Sequence, residues 1–154
     1  CIHMIESPHA LKFFFRIGGT LPLHAGAMGK VILAYSPSEL QEQILSTSLK
    51  QCTKNTITDP AMLRRELKSI REKGYSVSVE EIDPGGTAVG APIFFLQDHL
   101  VGGLIISGPK SKFERKLEDL APLVVEAARK ISENLLEGKH TDVPGQRRGS
   151  TRLI

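Results

Sequence analysis

Leu21–Ala34, LPLHAGAMGKVILA, reads as a loop that runs into a helix whose first turn is built from small residues. Gly26, Ala27 and Gly29 leave that turn with little side-chain cover, and the apolar Val31, Ile32 and Leu33 follow in the helix body. The first N–H groups of a helix have no internal partner and carry the positive end of its dipole. Two readings are open. Bare amides beside a hydrophobic wall suit a small carboxylate or phosphate. Alternatively, the glycines only let the helix pack closely on a sheet.

On the N-terminal side, residues 1–6 and roughly 10–17 look like two strands around Ser7-Pro8-His9, closed by Gly18-Gly19. Phe13, Phe14 and Phe15 run consecutively, so both faces of the second strand are expected to be covered. The opening Cys1-Ile2-His3-Met4-Ile5 reads as a strand already under way, and predicts a preceding part of the protein.

On the C-terminal side, Ser36-Pro37-Ser38-Glu39 has the form of a capping box and predicts a second helix, with Leu40, Ile44 and Leu45 as its buried stripe. Thr47–Thr56 is a polar connection. Asp59-Pro60 opens a third helix, with Leu63, Leu67 and Ile70 along one face and Gly74 as its stop. Tyr75–Ile82 alternates as a half-buried strand, and Asp83-Pro84-Gly85-Gly86 is a turn. Ala88–Leu96 and Leu100–Ser107 read as a hairpin pair across Gln97-Asp98-His99, and Gly102-Gly103 predict a bulge or a close neighbour. A last helix carries Leu117, Leu120, Val124, Ala128, Ile131 and Leu135, with a kink or a fresh start at Pro122. Strands, helices, strands and a helix in that order predict an α+β fold, with helices packed on a largely antiparallel sheet.

At 154 residues and 40% hydrophobic content, one domain with a real core is expected. No apolar run approaches the ~20 residues that a membrane span needs, so no membrane partner is expected. Cys1 and Cys52 show no metal or disulfide spacing, which fits a reducing cytoplasm. The net charge of +3 resides after Gly138, where Lys139, Arg147, Arg148 and Arg152 face Asp142 alone. The balanced body lacks the basic footprint of a nucleic-acid-binding domain. Residues 139–154 read as a basic flexible tail.

Enzyme signatures fail one by one. Gly29-Lys30 is no P-loop, because His24 and Val31 stand where that motif needs glycine and Ser or Thr. Lys30 reads instead as a helix-surface charge or a local partner for a carboxylate. There is no Gly-x-Ser-x-Gly elbow and no His-Glu-x-x-His helix. Glu80 and Glu81, as strand neighbours, point to opposite faces and make a poor acid/base pair. His24 stands beside the suspected anion site, with a helix-start hydrogen bond as its plainest role. Neither a catalytic set, a metal site nor a cofactor is expected.

The motifs in sequence do match a known pattern. Gly18-Gly19-Thr20-Leu21-Pro22-Leu23-His24-Ala25 with Gly29-Lys30, then Thr56-Ile57-Thr58-Asp59-Pro60, Arg71-Glu72-Lys73-Gly74-Tyr75 and Glu80-Glu81 come first. Ala91-Pro92-Ile93-Phe94 and Ile106-Ser107-Gly108-Pro109 complete the set. From about residue 1 to 138 the chain resembles the C-terminal effector-binding domain of the IclR family of bacterial transcription regulators.

That resemblance implies a GAF- or profilin-like curved antiparallel sheet with helices on it, and an N-terminal winged helix-turn-helix through which alone DNA would be bound. It implies a small organic acid as effector, and a homodimer or homotetramer. By position, the effector site would be lined by Phe13, Ala27, Met28, Ser78, Gly86, Ala88, Ile105 and Ser107, with the acid received at the helix start. Three departures from the family pattern make the site less polar. Ser78-Val79 stand where Asp-Asp is common, Thr87-Ala88 where Arg-Cys is favoured, and Ile105 where a smaller or polar residue is frequent. They predict an aromatic or branched acid in place of a two- or three-carbon keto acid. The competing expectation is a constitutive assembly domain with a vestigial pocket.

Overall fold

The computed structural model describes residues 1–7, 17–96, 99–113 and 117–137. Among them the chain runs α1 (Gly26–Tyr35), α2 (Ser38–Leu45), α3 (Pro60–Lys73), β1 (Ser76–Val79), β2 (Gly86–Phe95), β3 (His99–Pro109), α4 (Lys110–Phe113) and α5 (Leu117–Leu136). The three strands form an antiparallel sheet in the order β1-β2-β3. The fold is α+β.

Local chemistry accounts for α3. Asp59 accepts a hydrogen bond from the Met62 amide at 2.6 Å, Pro60 occupies the first turn, and Gly74 closes the helix with φ +79°. That glycine takes up the left-handed conformation at little cost, as helix ends require.

The second helix begins differently from expectation. Ser36 ends α1, where its hydroxyl donates to the Ile32 carbonyl at 2.7 Å, and α2 starts after Pro37 with no side-chain cap. Pro37, not Ser36, stands at the N-cap of α2, so the serine hydroxyl closes α1 instead. Residues 1–7 form no strand. Ile2 and Ile5 stand almost wholly exposed, so the alternation there has no face to bury. The expected second strand and Phe13 lie largely outside the described residues, as does the basic tail.

The expected strand Tyr75–Ile82 shortens to four residues because Glu80 adopts φ +56°. A left-handed residue cannot continue a ladder. The β2–β3 register shifts between Ile93 and Phe94, which pair with Gly102 and Leu100 and leave Val101 as the extra residue. That bulge adjoins the Gly102-Gly103 pair. Pro122 lies within α5, which is assigned as one helix across it.

Both faces of the sheet are covered. On one face Val89 and Ala91 pack with Ala121, Val124 and Ala128 of α5, joined by Val77, Leu104 and Ile106. The other face carries α1, which lies between the sheet and a second core built from Val31, Leu33, Ala34, Leu45, Leu63, Leu67 and Ile70. Seven of the ten α1 residues are buried, which explains its all-round small and apolar sequence.

Candidate functional site

Strand alternation and register place one set of side chains toward α1. Ser78, Ala88 and Ser107 form a row across β1, β2 and β3. Two residues along, Ser76, Gly90 and Ile105 form the next row, and Pro92 and Gly103 the one after. The first row borders a hollow of about 40 Å³ lined by Ser78, Ile82, Asp83, Gly86, Thr87, Ala88 and Ser107. Four residues expected from sequence, Ser78, Gly86, Ala88 and Ser107, therefore converge.

Ala27, Met28 and Ile105 do not line this hollow. Ala27 sits over Gly90, whose missing side chain would come within 3.5 Å of it. Ile105 shares that second row. Met28 lies over Gly103, where an added Cβ would come within 2.6 Å of the Met28 sulfur. Ala27, Ile105 and Met28 thus continue along the same face, one and two rows beyond the hollow. Phe13 falls outside the described residues.

The start of α1 corrects the sequence reading. Its first amide, Gly26 N–H, donates to Glu81 Oε2 at 3.0 Å. The chain's own carboxylate occupies the place expected for an external acid, and the dipole favours it there. Gly29 serves close packing, because any side chain at that position would run into the Pro22 carbonyl oxygen. His24 is buried, with Nε2 2.9 Å from the Lys50 carbonyl oxygen. The first amide of α1 is therefore satisfied from within the chain, and Ile82 stands between Gly26 and the hollow.

Ile82 was missed from sequence. Its side chain lines the hollow and also packs on Gly26, where an added Cβ would lie 3.0 Å from it. Nothing local distinguishes it from an ordinary core isoleucine. The one clue was its place between the Glu80-Glu81 pair and the Asp83-Pro84 turn.

Lys30 is no surface charge. It is 1% exposed, and its ammonium donates to Glu81 Oε1 at 2.6 Å, Glu66 Oε1 at 2.8 Å and the Val77 carbonyl at 2.9 Å. Those three acceptors come from α3, β1 and the turn beyond it. The polar connection before α3 adds to this frame, since Thr56 Oγ1 donates to the Glu81 carbonyl at 2.7 Å and receives the Cys52 and Thr53 amides.

Glu80 and Glu81 take different partners, although neither lies within β1. The Glu80 carboxylate takes the Lys110 ammonium at 2.8 Å and the Gly85 amide at 2.9 Å. The Lys110 amide also donates to the Gly85 carbonyl at 2.7 Å. These contacts clamp the Asp83–Gly86 turn, at the edge of the hollow, to the end of β3. The Lys110 hydrogen bond, followed by the Gly85 amide, holds the Glu80 carboxyl below the usual carboxylate range.

One further polar group faces α1. Ser76 is 1% exposed, and its hydroxyl has no hydrogen-bond partner. Among the described residues it is the one buried side-chain polar atom in that condition.

Comparison with known proteins agrees with this architecture. The family described as bacterial transcriptional regulator IclR C-terminal matches residues 1–133. The chain is 36% identical over 129 residues to the HTH-type transcriptional regulator BhcR of Paracoccus denitrificans, covering 82% of this chain and 46% of that protein. The crystal structure of the Thermotoga maritima IclR superposes with a TM-score of 0.78 at 39% identity, covering 86% of this chain and 54% of that one. An IclR homologue from Microbacterium hydrocarbonoxydans, crystallised with 4-hydroxybenzoate, superposes with a TM-score of 0.77 at 28% identity, covering 85% and 53%. The chain spans about half the length of the curated relatives it matches. Those relatives are regulators of transcription, not enzymes.

Proposed function

Because this chain belongs to the IclR family of bacterial transcriptional regulators, in its C-terminal regulatory domain, we propose that it senses a small organic acid on the Ser78–Ala88–Ser107 row. The observation that carries this reading is the hollow itself. Two hydroxyls from β1 and β3 flank the Ala88 methyl, with Ile82 as the apolar wall. Hydroxyls donate to a carboxylate, and the alanine and isoleucine accommodate an apolar body.

The charge around the hollow narrows the class of ligand. Its lining contains Asp83 and no lysine or arginine. A neighbouring like charge disfavours each additional negative charge on a guest. Asp83 thus weighs against a doubly charged acid, and the Ile82 and Ala88 lining favours a monoanion with an apolar body, aromatic or branched. The 4-hydroxybenzoate held by the Microbacterium homologue is of this class. A hollow of this size accepts such an acid only if Ile82 and the α1 start give way. Binding would thereby move the wall that supports Gly26.

Residues 1–138 would form the sensing unit and 139–154 a basic tail, with a winged helix-turn-helix elsewhere in the protein reading DNA from the cytoplasm. Isothermal titration tests the reading. Binding of 4-hydroxybenzoate with weak or no binding of glyoxylate and pyruvate is expected; the reverse order overturns it.

The second reading is an assembly domain whose pocket is vestigial. Glu81 on the Gly26 amide favours it, since the helix start is already satisfied. A thermal-shift panel of organic acids separates the two, because a ligand that binds only the folded state raises the melting temperature with concentration. Silence across the panel supports the assembly reading.

A further inference from the structure

Ser76 is the polar group that the fold leaves unexplained. A buried hydroxyl without a partner is unfavourable, and such a group in a folded protein calls for a specific reason. Ser76 stands two residues before Ser78 on β1, so both side chains face α1. Its row contains Gly90 and Ile105, with Ala27 overhead. Ala27, Ile105 and Met28 are therefore gathered around or just beyond this hydroxyl.

The spacing has a chemical meaning. Adjacent rows are separated by two strand residues, about 7 Å, which is close to the distance between the carboxylate and the opposite substituent of a para-substituted benzoate. A guest with its carboxylate at Ser78 and Ser107, lying along the strands, would place its far end in the Ser76–Gly90–Ile105 row. Gly90 carries no side chain, but Ala27 packs over that space, where an added Cβ would lie 3.5 Å from it, so the far end enters this row only as the α1 start gives way.

We propose that Ser76 is a specificity-determining residue of this site, whose hydroxyl receives a hydrogen-bonding group carried at the end of the acid remote from its carboxylate. This inference rests on the acid-sensing reading above. A site that holds an unpaired polar group discriminates strongly for a ligand that pairs with it.

The test compares 4-hydroxybenzoate with benzoate by isothermal titration, on the wild-type chain and on Ser76→Ala. The wild type is expected to bind the hydroxylated acid about tenfold more tightly, consistent with one hydrogen bond gained by a stranded hydroxyl. Ser76→Ala is expected to bind both acids alike, with benzoate affinity unchanged and a melting temperature no lower than the wild type. An equal preference in both proteins, or none in the wild type, overturns the role of Ser76 while leaving acid sensing in place. A parallel loss of benzoate affinity and stability in Ser76→Ala assigns the residue to the fold and likewise overturns it. Failure of both acids to bind the wild type overturns the acid-sensing reading and this inference together.

Discussion

Lys30 shows how much one residue's surroundings matter. Its buried ammonium is neutralised by Glu81 and Glu66, and the same Glu81 satisfies the first amide of α1. Burying two charges gains little when they pair, but removing one leaves the other stranded. Lys30→Met is therefore expected to cost about 3 kcal/mol of stability, read from the urea midpoint. Adding Glu81→Gln to that variant should cost less than it does alone, because the stranded charge is then gone. A Lys30→Met protein that unfolds at the wild-type midpoint would disprove the buried pairing.

The elements around the hollow are joined by a second charge pair of different character. Glu80 ends β1 in a left-handed conformation, which costs an L-residue about 1–2 kcal/mol. Its side chain offsets that cost by taking both the Gly85 amide and the Lys110 ammonium. The folded state holds the Glu80 carboxyl below the value it has when unfolded. Its contribution is thus fully present above the ordinary carboxylate range and is lost as pH falls through the folded value. Glu80→Gln is expected to flatten the acid side of the melting-temperature profile while sparing the neutral side less than a surface control would. Acid profiles that coincide for variant and wild type would rule out the clamp. By contrast, the Asp59 cap of α3 was legible from four residues of sequence, because its partner, the Met62 amide, is local.

At the scale of the molecule, α1 links the sheet face that carries the proposed site to the rest of the domain. It touches all three strands below and α2 and α3 above, so displacement of Ile82 or Ala27 would be felt in both cores. A ligand shifts an equilibrium only by its difference in affinity between two arrangements. In the full-length regulator, an acid shown to bind is expected to change the elution volume or the affinity for operator DNA. Size-exclusion and operator-binding measurements with and without that acid check this, and an effect on neither removes the allosteric role.

The sequence by itself determined the punctuation and the alternation. Asp59-Pro60 and Gly74 bound α3, the Asp83–Gly86 turn starts β2, and the serines and valines of β1 sort to opposite faces. Each of these follows from neighbours a few residues apart. Only the tertiary structure decided that Glu81, 55 residues beyond Gly26, fills the start of α1. It likewise decided that Lys30 is buried, that Ile82 walls the hollow, and that Ser76 is left without a partner. Local rules act through bonded geometry, whereas burial and charge pairing depend on which distant segments the chain brings together.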